Sequence, residues 1–171
     1  MDNKIFLRDI IDDDLDILFQ NQLDPEANHM AAFTSKDPTN RGAFNAHWKK
    51  IMADSTVINK TIIFNGEVIG SVASYYEEGR PEVTYWLGKE YWGKGLATMA
   101  LREFLANVNI TRPMYARVAK DNIASRRVLE KCGFQVIEEG KWFANARNQE
   151  IAIAVFVQNA GCGATWAGPI S

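Results

Sequence analysis

The sequence predicts an α+β (mixed α/β) domain with a mixed, mostly antiparallel sheet of six to seven strands and about four flanking helices. An Asn65-Gly66 pair separates two segments of sheet-like periodicity, 57–64 and 67–76, which indicates a tight hairpin because both residues tolerate positive φ. Two later strand segments are each followed by a helical pattern, which favours crossover connections within the same sheet. The predicted order of elements is β-α-α-β-β-β-α-β-α-β-β.

The N-terminal third supplies one strand and two helices. The segment 4–8 ("KIFLR") reads as a short strand, and the aspartates within 12–16 crowd a helix start, where the helix dipole favours negative charge. A second helix is predicted to begin at Asp37-Pro38, because a capping aspartate followed by proline is typical of a helix start. Its buried face is a stripe at helical spacing, formed by Phe44, Trp48, Ile51 and Met52.

The remaining elements follow the hairpin. A turn at 79–81 leads to a strand at 82–87 ("EVTYWL"), and a glycine loop then opens a helix that extends to about Val108. The further predicted elements are a strand at 114–118, a helix at 124–131 and two strands at 134–143 and 150–157. We expect one domain over residues 1–157, followed by a tail at 158–171 that is either disordered or an oligomerisation arm.

Composition excludes several classes of function. With 19 Lys and Arg against 21 Asp and Glu, the net charge is −2, so nucleic acid is not an expected partner. The sequence has no run of 18 apolar residues and no apolar signal-peptide core, so we expect a cytoplasmic protein without a membrane span. Cys132 and Cys162 are then expected to be reduced. No metal site is expected, because His29 and His47 lie far apart and neither cysteine has a neighbouring ligand.

The segment 90–98 ("EYWGKGLAT") places Gly93 and Gly95 between a strand and a helix start. Unpaired backbone N–H groups and the helix dipole make such a position an anion site, and glycine lets a phosphate approach closely. Two glycines are also typical of a simple strand-to-helix turn. The alternative of a P-loop phosphotransferase rests on Gly88–Lys94, which reads G-x-x-x-x-G-K, but Gly95 stands where that motif needs Ser or Thr.

Two longer segments carry a family resemblance. The segments "EVTYWLGKEYWGKGLATMAL" and "ARVAKDNIASRRVLEKCGF" together resemble the GNAT superfamily of acetyl-CoA-dependent N-acetyltransferases. Within it, the chain is most similar to the branch that acetylates the N-termini of ribosomal proteins. The resemblance extends from Lys4 to about Val157, and it implies the GNAT fold, acetyl-CoA as cosubstrate and no metal.

The resemblance also implies which residues contact coenzyme A. The loop 92–97 would offer its N–H groups to the pyrophosphate, and 86–87 would pair with the pantetheine arm as a β-strand does. Asn122 would hydrogen-bond this arm, with two further side chains beside it. One departure from the family pattern is Glu90, where Gln or Arg is usual. The implied cofactor-binding residues are Trp86, Leu87, Trp92, Gly93, Lys94, Gly95, Leu96, Ala97, Thr98, Asn122, Ser125 and Arg126.

Acetyl transfer needs a neutral amine and a protonated leaving thiolate. The family's tyrosine acid is absent, because Leu129 occupies its position. Ser125 stands where the ribosomal-protein branch has its serine, and we assign it the protonation of the thiol. Glu82 is the candidate base because it lies on the strand beside the thioester. The structural alternatives are a first-turn helix residue for Ser125 and an exposed charge at a strand start for Glu82.

The expected acceptor groove involves His29, Tyr75 and Tyr76, of which His29 is also a second candidate base. The principal functional hypothesis is an N-acetyltransferase that acts on a primary amine, either a peptide N-terminus or a small molecule, as a monomer or homodimer. The alternative from another class is a non-catalytic acyl-CoA-binding or sensing protein that keeps the coenzyme site. An acetyl transfer that depends on added amine separates the two.

Overall fold

In the computed structural model, which describes residues 4–159, seven strands form one sheet with five α-helices around it. The strands are β1 (Ile5–Asp9), β2 (Ile58–Phe64), β3 (Glu67–Glu77), β4 (Arg80–Leu87), β5 (Met114–Ala119), β6 (Gln135–Ala144) and β7 (Gln149–Gln158). The helices are α1 (Leu15–Gln22), α2 (Pro25–Ala31), α3 (Arg41–Ala53), α4 (Leu96–Glu103) and α5 (Ile123–Lys131).

The order across the sheet is β1-β2-β3-β4-β5-β7-β6, and every neighbouring pair is antiparallel except β4 and β5. The predicted α+β class and mixed, mostly antiparallel sheet are therefore confirmed. The hairpin between β2 and β3 turns at Asn65 and Gly66, whose φ angles are 51° and 80°. Its position follows from turn chemistry alone, as the sequence predicted. Of the predicted tail, Gln158 ends β7, and 160–171 lie outside the described residues.

Three helices, not the predicted two, connect β1 with β2. The additional helix is α2, which begins with the same Asp-Pro pattern that the sequence offered at position 37. Asp24 caps it by accepting a hydrogen bond from the backbone N–H of Ala27 at 2.8 Å, and Pro25 takes the first helical position. The helix has only seven residues, too few for a clear hydrophobic stripe, and so the sequence pattern did not reveal it.

The predicted helix start at Asp37-Pro38 is wrong. Helix α3 begins at Arg41, and Asn40 is its cap, with its side chain accepting from the N–H of Ala43 at 2.9 Å. The carboxylate of Asp37 instead accepts hydrogen bonds from the backbone and hydroxyl of Thr39, at 3.0 and 2.6 Å. These bonds close a local turn, so the aspartate is not available to cap a helix.

The main core lies between the sheet and the pair α4 and α5, and it contains Leu101, Phe104, Leu129 and Phe156. A second apolar cluster lies on the opposite face of β5, where the end of α2 meets β5 and β7. Alternation along β5 separates the two, because Ala116 and Val118 belong to the first cluster and Ala119 to the second. Helices α4 and α5 thus cover one face of β4 and β5, and the end of α2 covers part of the other face of β5.

Candidate active site

The sheet is split between β4 and β5. These parallel strands pair only at Glu82 and Tyr115, whereas β4 pairs with β3, and β5 with β7, along their whole lengths. Beyond Glu82 the edge of β4 that faces β5 therefore has no partner among the seven described strands. Backbone groups on such an edge can bind an extended ligand in the way that an added strand would.

A cavity of about 900 Å³ passes through this split. At one end it is lined by the glycine loop and at the other by the end of α2. Of the predicted cofactor residues, those that line it are Trp86, Leu87, Trp92, Gly93, Gly95, Leu96, Ala97, Thr98, Asn122 and Ser125. Lys94 and Arg126 do not: the ammonium group of Lys94 lies 5.9 Å from the ring centroid of Tyr91, and Arg126 donates to the carbonyl of Lys120.

The glycine loop is shaped by two residues with positive φ, Gly93 at 73° and Gly95 at 77°. Gly95 is the residue before α4, and no side chain caps the helix there. A Cβ atom built on either glycine would meet nothing within 4 Å, so both glycines face open space in the cavity. The first N–H groups of a helix have no partner inside it, and together with the dipole they favour an anion at this position.

The start of α5 is fixed by Asn122. Its Oδ1 accepts from the N–H of Ser125 at 3.1 Å, and its Nδ2 donates to the carbonyl of Met30 at 3.2 Å. The amide therefore caps α5 and also ties it to α2 across the cavity. One amide N–H is still available for a ligand, since an asparagine side chain has two donors.

Ser125 has a partner that the sequence analysis did not identify. Its Oγ lies 2.9 Å from the hydroxyl oxygen of Tyr85 on β4, and both residues line the cavity. Burial raises the pKa of Tyr85 to about 12, although the hydrogen bond with Ser125 opposes this shift. The sequence does contain a signal for this residue, because alternation in "EVTYWL" places Tyr85 with Val83 and Leu87, as the one polar group on an otherwise apolar face.

Glu82 is buried rather than exposed, with 2% of its surface accessible. Its Oε1 accepts from Nε of Arg117 at 3.0 Å, and the hydroxyl of Tyr75 is 3.4 Å away. Burial raises the pKa of the Glu82 carboxyl, and the attraction of Arg117 offsets this only in part. The alternative of an exposed charge at a strand start is therefore wrong, because the carboxylate belongs to a buried network.

Arg117 connects this network with the cavity. It also pairs with Glu77 at 3.2 Å, and its guanidinium lies 4.2 Å from the ring centroid of Trp142. Arg117 and Trp142 line both the main cavity and a second one of about 400 Å³, and Glu82 lines only the second. A lone arginine among the apolar residues of "MYARV" was the sequence signal for a buried partner.

Of the three predicted acceptor-groove residues, only Tyr75 lines the cavity. His29 is exposed and does not, although its carbonyl accepts from Arg147 at 2.9 Å. Tyr76 is 56% exposed and points away from Tyr75, since neighbouring strand residues face opposite sides of the sheet. The geometry thus does not bring His29 or Tyr76 to the site.

The wall opposite the split is formed by the end of α2 and the segment after it, with Met30, Phe33 and Thr34 in the lining. Between them Ala32 is fully buried and has φ 67° and ψ −49°, and the N–H of Phe33 donates to the carbonyl of Ala31 at 2.7 Å. This is a γ-turn with positive φ, a rare and strained conformation. Its strain is held by the surrounding packing, and it fixes the direction in which the chain leaves α2.

Within the described range, no group of three or more His, Cys, Asp or Glu side chains is placed to hold a metal ion. No helix among residues 4–159 is both long and apolar enough to cross a membrane.

Known proteins share both the sequence pattern and the fold. The family described as Acetyltransferase (GNAT) domain matches residues 4–135. A putative ribosomal N-acetyltransferase, YdaF of Bacillus subtilis (strain 168), is 29% identical over 114 residues, which are 63% of this chain and 61% of that protein. The chain thus matches less than two thirds of this relative's length.

Solved structures of other proteins have the same fold. Mycobacterium smegmatis RimJ in complex with CoA-disulfide has a TM-score of 0.75 at 19% identity, covering 91% of this chain and 82% of that one. AAC(6')-Ib in complex with ribostamycin and coenzyme A has a TM-score of 0.76 at 18% identity, covering 98% and 100%. The resemblance to the GNAT superfamily seen in the sequence is confirmed. Since the family match covers well over half of its residues, the chain belongs to the GNAT acetyltransferase family.

Proposed function

We propose that the protein transfers an acetyl group from acetyl-CoA to a primary amine, on a peptide N-terminus or a small molecule, by direct transfer in a ternary complex. The observation that carries this proposal is the continuous cavity through the split between β4 and β5. The cavity extends from the anion site at the glycine loop to the wall formed by α2. A long ligand that enters at the loop can therefore meet an acceptor that binds near α2.

The described residues fit coenzyme A at the end of the cavity that is lined by the glycine loop. Gly93 and Gly95 leave their backbone open to the cavity, which suits a pyrophosphate at the start of α4. The unpaired edge of β4 at Trp86 and Leu87 suits the pantetheine arm, although the carbonyl of Leu87 already accepts from the indole of Trp92 at 3.1 Å. Acetyl-CoA supplies the activated acetyl group as a thioester.

Ser125 is the proposed hydrogen-bond donor to the leaving sulfur, and Glu82 is the proposed base. The Ser125 hydroxyl lies in the cavity, where it can donate to the leaving sulfur. Glu82 lies behind Arg117 and Tyr75 and outside the main lining, so we propose that it receives the amine proton through water, not directly. Its raised pKa makes it a stronger base than an ordinary glutamate.

The acceptor end of the cavity favours an amine on an apolar or aromatic body. Its lining includes Met30, Phe33, Tyr75 and Trp142. Of the described residues that line the cavity, only Glu26 has a carboxylate, and Lys89 pairs with it at 2.7 Å. A polycation needs several available carboxylates, so we expect a peptide with an apolar N-terminal residue to be a better acceptor than an aminoglycoside or a polyamine.

Calorimetric titration tests the cofactor assignment. We expect acetyl-CoA to bind and ATP with magnesium to give no heat. Gly95→Ala adds a methyl group where the pyrophosphate is proposed to lie, and it should weaken acetyl-CoA at least about tenfold, equal to 1.4 kcal/mol. Gly66→Ala is the matched control, because Gly66 has the same positive φ and equally open surroundings but lies in the distant β2–β3 turn.

A panel of amines with detection of the released thiol then tests catalysis. Thiol release that depends on added amine supports the transferase. Binding of acetyl-CoA without any such release contradicts it and identifies a coenzyme A-binding protein without transfer activity. Binding of ATP but not of acetyl-CoA overturns the assignment of the glycine loop.

A further inference from the structure

Tyr85 and Ser125 face each other across the split in the sheet. Tyr85 belongs to β4, and Ser125 to the first turn of α5, and their oxygens are 2.9 Å apart. The two residues are 40 positions apart in the sequence, so only the fold brings them together. Both line the cavity where the thioester is proposed to lie.

Neighbouring parts of the fold hold both Tyr85 and Ser125 in place. The backbone of Ser125 donates to the cap residue Asn122, and the ring of Tyr85 packs against the main core beneath α4 and α5. Leu129, at the position of the family's tyrosine, is buried in the same core and carries no proton donor. A hydroxyl for the leaving sulfur therefore has to come from another residue, and Ser125 lies four positions earlier in the same helix.

The direction of the hydrogen bond decides what Ser125 can do. A serine hydroxyl has a single proton. When Ser125 donates that proton to Tyr85, none remains for the sulfur. When Tyr85 donates to Ser125, the serine proton is free to point into the cavity. Tyr85 keeps its proton throughout the physiological range, because burial raises its pKa to about 12.

We propose that Tyr85 is a positioning residue, which donates a hydrogen bond to Ser125 Oγ and so directs the serine proton at the sulfur of coenzyme A. The inference rests on the proposed function and deepens it at the same site. The C–S bond breaks as the acetyl carbon bonds the amine nitrogen, the proton that the nitrogen loses passes through water to Glu82, and coenzyme A leaves as a thiolate. Both hydroxyls keep their own protons: Tyr85 donates its hydrogen bond to Ser125 Oγ, and Ser125 donates its hydrogen bond to the sulfur as the sulfur gains charge.

The test measures the bound thiol itself. The ultraviolet absorbance of the thiolate is titrated with pH for coenzyme A bound to wild type, Tyr85→Phe, Ser125→Ala and the double variant. We expect the wild-type site to lower the thiol pKa below that of free coenzyme A. Tyr85→Phe should raise it by about 0.5–1 unit, the value of one hydrogen bond. Ser125→Ala should raise it at least as much, and the double variant no further, because the two residues act as one unit.

Kinetics give a second measurement. Tyr85→Phe should lower kcat about tenfold, because that factor corresponds to the free energy of one hydrogen bond. It should leave the Kd and KM for acetyl-CoA unchanged. Tyr115→Phe is the matched control, since Tyr115 lies on β5 outside the lining of the main cavity. It should change neither kcat nor the thiol pKa.

Two results overturn the inference: an unchanged thiol pKa in Tyr85→Phe while Ser125→Ala shifts it, or two shifts that add in the double variant. A wild-type site that leaves the thiol pKa at its free value overturns it as well. Failure of the proposed function is recognised separately, because the wild type then does not bind coenzyme A, or binds it with the predicted pKa shifts but acetylates no amine.

Discussion

Replacing Glu82 by glutamine separates the two roles that the structure allows for this residue. The carboxylate is either the base that receives the amine proton or only an anchor for Arg117. Glutamine keeps the shape of the side chain, and its Oε1 can still accept from Nε of Arg117, now 3.0 Å away. What it loses is the negative charge, and with it the capacity to take up a proton.

The structural cost of this change is modest. Hydrogen bonds to charged groups contribute about 1.5–3 kcal/mol, but Arg117 retains Glu77 and its contact with Trp142. Because the raised pKa of Glu82 means that its charge adds no net stability, we expect the free energy of unfolding at neutral pH to change by less than about 1 kcal/mol. Burial raises the pKa of folded Glu82, so its contribution to stability is largest below the ordinary glutamate pKa and is lost as pH rises through the raised value. The stability of wild type relative to Glu82→Gln should accordingly fall as pH rises through the raised pKa.

The catalytic cost distinguishes the roles. General bases contribute about 10²–10⁴ in rate, so kcat should fall by that factor in Glu82→Gln, with the Kd for acetyl-CoA unchanged. The wild-type pH–rate profile should show an acid limb above the ordinary glutamate pKa, and the variant should lose it. Glu77→Gln is the matched control: it removes the other partner of Arg117, is 45% exposed and should keep both kcat and the acid limb.

Stopped-flow or continuous thiol detection with the best amine of the panel gives both quantities. Similar rates for Glu82→Gln and Glu77→Gln, with the acid limb preserved in both, would refute the base and leave Glu82 as an anchor for Arg117.

Three further changes have predictable results. Asp14→Asn should cost about 2–3 kcal/mol, because the buried carboxylate accepts from both terminal nitrogens of Arg8 at 2.8 and 2.9 Å. Burial raises the pKa of Asp14, but these hydrogen bonds lower it by more, so the net pKa is below the ordinary value. The stabilisation is therefore present above the ordinary aspartate pKa and is lost as pH falls, which urea unfolding between pH 3 and 7 will measure. Gly70→Ala should destabilise by more than about 3 kcal/mol in a thermal melt, since its Cβ would lie 2.0 Å from the carbonyl oxygen of Trp86 on β4. Asn122→Ala should cost about 1 kcal/mol through the lost cap and raise the KM of the amine more than the Kd of acetyl-CoA, because its tie to α2 is broken.

Local signals in the sequence were sufficient for most of the fold. The Asn65-Gly66 turn and the start of α4 after Gly95 depend on residues within a few positions, and the structure confirms both of them. The same kind of signal failed where two candidates competed. Both Asp24-Pro25 and Asp37-Pro38 have the pattern of a helix start, and only the hydrogen bond from Thr39 decides against the second.

The site depended on tertiary structure to a greater extent. The sequence located the glycine loop and Ser125, but it indicated neither the partner of Ser125 on β4 nor the burial of Glu82 by Arg117. Those pairs join residues 40 and 35 positions apart, and they exist because β4 and β5 meet at one residue pair and then separate. Local propensity is set by neighbours in the chain, whereas the direction and partner of a side chain across a sheet are set by strand order and register, which no short segment contains.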